Sequence, residues 1–131
     1  MIGLDTNVLI RYLTDDDPSQ TALANAVMDS LTPEAPGFLS TVVIAEVIWV
    51  LERFYRFSKS ETIQTLETLL RSKELIVERA EIVGQALGNF KTSRSDFADC
   101  LIERTGHAAG CHHTVTFDRR AASAAGMKLL Q

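Results

Sequence analysis

Two cysteines in 131 residues, Cys100 and Cys111, are too few for a disulfide framework. Their spacing also lacks the paired short intervals of a zinc site, so His107, His112 and His113 read as turn residues beside core thiols. Three prolines and seven glycines do not make a linker or a low-complexity tract, and a single domain over residues 1–131 is expected. No apolar run reaches the roughly 20 residues that span a bilayer. Met1-Ile-Gly-Leu-Asp5 has neither the basic start nor the cleavage site of an export signal, so the expectation is a cytoplasmic protein with no membrane attachment. Positive charge is in deficit. With 13 Lys and Arg against 17 Asp and Glu the net charge is −4, which argues against a broad basic face as the means of holding a polyanion. Divalent cations bound by some of those acids would reverse the bias locally.

What the chain has is 46% hydrophobic residues, enough for a core, arranged in short runs. Short runs rich in apolar and β-branched residues predict strands at residues 2–4, 37–39, 75–77, 114–117 and 128–130. Helical spacing predicts helices over Asn7 to Leu13, from Pro18 with a stripe of Ala22, Leu23, Ala26, Val27 and Leu31, and over Val42 to Phe54 behind a Ser40 or Thr41 cap. Further helices are predicted at about 60–72 with Ile63, Leu66, Leu69 and Leu70 inward, near 79–89, over 95–109 closed by Gly106 or Gly110, and over Arg119 to Ala125. Thr14-Asp-Asp-Asp-Pro18 reads as loop and cap chemistry. Short strands alternating with helices imply an α/β fold, a parallel sheet with helices on both faces. In such folds working groups gather beyond the carboxyl ends of strands.

Four carboxylates stand out. Asp5 and Asp118 each follow a predicted strand and open a helix, and each could equally be a plain N-cap. Glu46 is the sole charge in Val42-Val-Ile-Ala-Glu46-Val-Ile-Trp-Val-Leu51. A helix so apolar is expected to be buried, where an ionised Glu must pair, neutralise or bind a cation; a partner such as Arg53 is the alternative to a metal. Asp99 shares a helical face with Asp96 and Glu103, which a solvated acidic stripe would also explain. Asp96, in a first turn, suits the helix dipole and is an accessory candidate. Taken together, the four acids are hard oxygen donors that select Mg²⁺ or Mn²⁺. Basic residues group at Arg53/Arg56/Lys59, Lys91/Arg94 and Arg119/Arg120; a solvated surface accounts for each, but Arg94 and Arg119 lie beside candidate acids and are possible phosphate contacts.

The motifs Met1-Ile-Gly-Leu-Asp5-Thr-Asn-Val-Leu-Ile, Ser40-Thr-Val-Val-Ile-Ala-Glu46-Val, Asp96-Phe-Ala-Asp99-Cys-Leu-Ile and Thr114-Val-Thr116-Phe-Asp118-Arg occur in an order and spacing that resembles the PIN-domain ribonucleases. Within them the chain is similar to the VapC-type toxins of bacterial toxin–antitoxin pairs. The resemblance implies a three-layer α/β/α sandwich around a short, mostly parallel sheet, and a Mg²⁺- or Mn²⁺-dependent cleavage of RNA by activated water. It also implies Asp5, Glu46, Asp99 and Asp118 as the catalytic, metal-holding acids. Asp96 matches an additional acid, and Asn7 and Thr116 match polar residues that steady carboxylates or water. A cognate antitoxin and a second copy of the chain are the implied partners. A DNA-directed nuclease, or an acidic pocket that binds nucleic acid or protein without turnover, are the alternatives. A haloacid-dehalogenase phosphatase needs a second Asp where Asn7 stands, and a receiver domain needs a mid-sheet Asp that is missing after Leu75-Ile-Val77. Trp49, Phe54, Tyr55 and Phe57 are either core or a partner surface.

Overall fold

Apolar triplets between turn residues become strands because each can alternate its side chains between two environments. In Gly37–Leu39 (β2) the outer two residues are buried and Phe38 is half-buried; in Leu75–Val77 (β3) Leu75 and Val77 are buried around an exposed Ile76. The computed structural model describes residues 1–131, which fall into two units, Met1–Glu78 and Arg79–Gln131.

In the first unit the strand Ile2–Gly3 (β1) pairs parallel with β2, and β2 pairs parallel with β3, giving the order β1-β2-β3. Parallel neighbours need crossovers. Thr6–Leu13 (α1) and Pro18–Ser30 (α2) make the first; Thr41–Phe54 (α3) and Lys59–Arg71 (α4) make the second. Local chemistry sets the starts of these helices. Asp17 accepts a hydrogen bond from the Gln20 N–H with Pro18 at N1, and Ser40 accepts one from the Val43 N–H. Ser58 and Glu61 close a reciprocal capping box at the head of α4. Leu9, Leu39, Val47, Leu51 and Leu66 are completely buried.

The second unit holds Ala80–Thr92 (α5), Phe97–Ala108 (α6), Val115–Thr116 (β4), Arg119–Ala125 (α7) and Lys128–Leu129 (β5), with β4 and β5 parallel. Phe90 and Phe97 meet edge to face with centroids 6.0 Å apart. Gly110 and Gly126 take positive φ values of 97° and 79°, which lets them end α6 and α7 where a Cβ would be strained.

The α/β class and the parallel pairing agree with the sequence reading, with three strands in one unit and two in the other. Two readings need correction. Most of the predicted stripe of α2 is not buried: Leu23 is 70% exposed, Ala22 and Ala26 are exposed and Val27 is half-buried, leaving Leu31 at the C-cap as its one buried member, while Ala24, outside the stripe, is the buried residue within the helix. The helix containing Asp99 begins at Phe97, so Asp96 is its N-cap residue rather than part of its first turn.

Gly37 shows how tightly β2 is seated beside the residue that precedes Asp5. A Cβ there would lie 2.7 Å from Leu4 Cδ1 and 2.9 Å from Leu31 Cδ1, and both leucines are buried. Gly37→Ala is expected to cost about 1–3 kcal/mol through overpacking. A lower urea midpoint with an unchanged slope would register it, and an unchanged midpoint would mean that the two leucines yield freely.

Candidate acidic site

Asp5 sits at the N-cap of α1, two residues beyond β1, yet its side chain makes no capping hydrogen bond. The N-cap explanation therefore accounts for its position and not for its carboxylate. Its neighbour Thr6, buried, donates from Oγ1 to Glu46 Oε1 at 2.8 Å and so fixes that carboxylate against α1.

Glu46 is exposed, which overturns the burial argument made from its apolar helix. One side of α3 does bury Val43, Ile44, Val47, Ile48 and Leu51, but Val42 is 68% and Trp49 55% exposed on the other. The charge therefore needs no salt bridge, and its partner is the Thr6 hydroxyl rather than Arg53. Arg53 instead lies over the Trp49 ring, 5.8 Å from its centroid, and Trp49 meets Phe54 edge on. Tyr55, half-buried, donates its hydroxyl to Asp16 Oδ2 at 2.7 Å, and Phe57 is half-buried, so of the four aromatics only Trp49 and Phe54 are open to a partner. Asn7 is exposed on α1 beside Asp5.

In the second unit Asp118 is an N-cap in the full sense: Oδ1 accepts from the backbone N–H of Arg120 at 2.8 Å and of Ala121 at 3.1 Å. Its own N–H donates to Thr116 Oγ1 at 3.0 Å, so Thr116 holds the backbone of the acid it precedes by two residues. Asp96 makes no side-chain cap; it meets Arg120 Nη1 at 4.0 Å with both side chains largely exposed, a pairing worth little. Glu103 is taken up by Arg104, at 2.6 Å from Nε. Asp99 is half-buried, and its pKa is raised, first by desolvation and then by the Asp96 and Asp118 carboxylates, with Arg120 opposing. Arg94, Arg119 and Arg120 line one concavity of about 700 Å³.

Because the folded state holds the Asp99 proton more tightly than the unfolded chain, ionising Asp99 weakens the fold as pH rises through its range. Without divalent ions Asp99→Asn is therefore expected to raise the thermal midpoint at pH 7, with the gain vanishing below the ordinary carboxylate range. A midpoint that falls at pH 7 would show that Asp99 is a stabilising partner instead.

Nowhere do three or more His, Cys, Asp or Glu side chains close round a point fit for a metal ion. Asp5 and Glu46 belong to the first unit, and Asp96, Asp99 and Asp118 to the second. The donor chemistry nonetheless fits a hard divalent cation. It consists of carboxylate oxygens alone, Asp5 has no cap to satisfy, and a cation would relieve the repulsion that Asp96 and Asp118 exert on Asp99. The Thr6 contact and the part of Arg120 were not anticipated; only the places of Thr6 beside Asp5 and of Arg120 beside Asp118 hinted at them.

Short parallel strands with acids beyond their carboxyl ends put the chain among the α/β proteins whose working groups gather there. More particularly, the chain belongs to the PIN domain family, whose profile matches residues 2–127. A VapC ribonuclease of Aquifex aeolicus (strain VF5) is 24% identical over 117 residues, covering 89% of this chain and 87% of that protein. Among solved structures, the chain is similar to Mycobacterium tuberculosis VapC20, a sarcin-ricin loop cleaving toxin, at 20% identity and a TM-score of 0.47, covering 100% of this chain and 99% of that one. It is similar to FitAcB from Neisseria gonorrhoeae at 23% identity and a TM-score of 0.39, covering 100% and 97%. No helix is long and apolar enough to cross a membrane.

Proposed function

We propose that the chain is a Mg²⁺- or Mn²⁺-dependent endoribonuclease and the toxin half of a toxin–antitoxin pair. PIN domain membership across nearly the whole chain supports the nuclease class, and the similarity to a VapC ribonuclease supports RNA as substrate; the antitoxin is the partner that the motif resemblance implies. A second copy of the chain, and a cytoplasmic setting, go with the same reading. The observation that carries the reading is the match of the PIN domain profile to residues 2–127; Asp99, half-buried, with its pKa raised by desolvation and by Asp96 and Asp118 against the opposing Arg120, accords with it.

Asp5, Glu46, Asp99 and Asp118 would hold the ion, with Asp96 as an accessory. When bound, the ion would supply Lewis acidity to a phosphoryl oxygen and ease deprotonation of the attacking water. The chain's own residues set orientation. Thr6 fixes the Glu46 carboxylate, the amides of Arg120 and Ala121 fix Asp118, and Thr116 fixes the backbone that carries it. Asn7, exposed next to Asp5, is free to hold water or substrate. Attack by water in line with the leaving 3′ oxygen forms the new P–O bond as the P–O3′ bond breaks; the proton of the water passes to solvent or to a carboxylate, the departing 3′ oxygen takes a proton from solvent, and the products are a 5′-phosphate and a 3′-hydroxyl. The ribose 2′-hydroxyl takes no part in the chemistry, so single-stranded DNA of the same sequence is the control that separates an RNase from a DNase. The test is cleavage of RNA with Mn²⁺ by the Asp5→Asn and Asp99→Asn proteins.

A further inference from the structure

Three arginines from two separate stretches of the second unit open into one hollow. Arg94 comes from the turn between α5 and α6, and Arg119 and Arg120 from the start of α7; Ser93 and Ser123 lie among them. Like charges are brought together in a chain with acids in excess, and yet neither Arg94 nor Arg119, both exposed, enters the ion pairs Arg11–Asp16, Arg104–Glu103 or Arg120–Asp96. Guanidinium groups present planar pairs of donors that match the two free oxygens of a phosphodiester. A hollow of about 700 Å³ has the size of a site for a nucleotide-scale ligand rather than for a bare ion.

We propose that the Arg94–Arg119–Arg120 hollow binds a backbone phosphodiester of single-stranded nucleic acid next to the Asp96–Asp99–Asp118 acids of the same unit. The proposal rests on the nuclease reading for its biological meaning, though not for its test. Arg120 joins the two features. Its contact with Asp96 spans 4.0 Å between exposed groups, so it can turn to a phosphate at little cost. Arg120 is thus a positioning residue, bringing the strand to the acids, while Arg94 and Arg119 supply the hold. Contacts to phosphate carry no base information, so they set the register of the strand and not its sequence.

The test is binding of a labelled single-stranded RNA by fluorescence anisotropy in EDTA, where nothing is cut, across roughly 50–200 mM salt. Arg94→Ala/Arg119→Ala is expected to flatten the slope of log K against log salt by about 1.4, or about 0.7 for each single-strand phosphate deprived of its guanidinium. Single-stranded DNA of equal length should lose affinity to the same degree, and Mn²⁺ binding should be unchanged. An unchanged slope in a folded variant overturns the proposal. So does competition by inorganic phosphate or polyglutamate as effective as that by the oligonucleotide, which would mean an adaptable anion site or a site for an acidic protein. If the alanine protein loses its circular dichroism spectrum, Arg94→Gln/Arg119→Gln, which keeps the side-chain length, gives the same comparison. Intact cleavage by the Asp5→Asn and Asp99→Asn proteins would sink the nuclease reading and leave this slope meaningful; an unchanged slope beside lost cleavage would sink the hollow alone.

Discussion

Asp5→Asn and Asp99→Asn should each slow RNA cleavage by roughly 100-fold or more, since even residues that only steady a metal's ligands cost about 10- to 100-fold when removed. The two substitutions test different things. Asn caps a helix about as well as Asp, and the Asp5 side chain makes no capping bond to begin with, so Asp5→Asn removes a charge and leaves α1 in place. Asp99→Asn removes a charge that Asp96 and Asp118 oppose. Loss of cleavage in a protein that melts higher than wild type is the signature of a residue kept for its chemistry against the interest of the fold. Cleavage by both variants at near wild-type rates, measured as initial rates at saturating Mn²⁺ with folding checked by circular dichroism, would end the case for an acidic catalytic centre.

The second large effect is expected from Phe97→Ala. Phe97 is 1% exposed, packs edge to face on Phe90, and follows the Asp96 cap that begins α6. Removing a buried ring costs about 3–5 kcal/mol, a large part of a typical domain's 5–15 kcal/mol. For a chain of this size that corresponds to a midpoint lower by about 10–20 °C. Because Asp96 and Asp99 ride on the same helix, cleavage should fall with the folded fraction and recover on cooling. A thermal midpoint within a few degrees of wild type would show that the ring's site collapses around the smaller side chain.

Where local chemistry decides, the sequence was a good guide. Gly37–Leu39 and Leu75–Val77 are strands as read, α7 spans Arg119–Ala125 as read, and Asp17 of the Asp triplet is a cap. The carboxylates beyond β1 and β4 stood out for the same local reason, an acid where a strand gives way to a helix. Properties that depend on which face of a helix meets another element were not legible. Val42, Trp49 and Leu23 are apolar and exposed, so hydrophobic character alone misjudged both Glu46 and α2. Apolar residues on a surface are ordinary, and the inference from apolar to buried runs reliably in one direction only. The Thr6–Glu46 bond joins residues 40 apart, and the hollow between Arg94 and Arg119 joins residues from two segments; spacing along the chain carries no record of either.

The exposed face of α3 has an optical consequence. Trp49 is the only tryptophan of the chain, and it stands three residues from Glu46 with its ring against Phe54 and beneath Arg53. The intrinsic tryptophan emission of the protein thus comes from one indole, 55% open to water, on the helix that carries one of the four acids. Any event that covers that helix or draws Arg53 away changes the surroundings of a single chromophore, so the native protein already carries its own label.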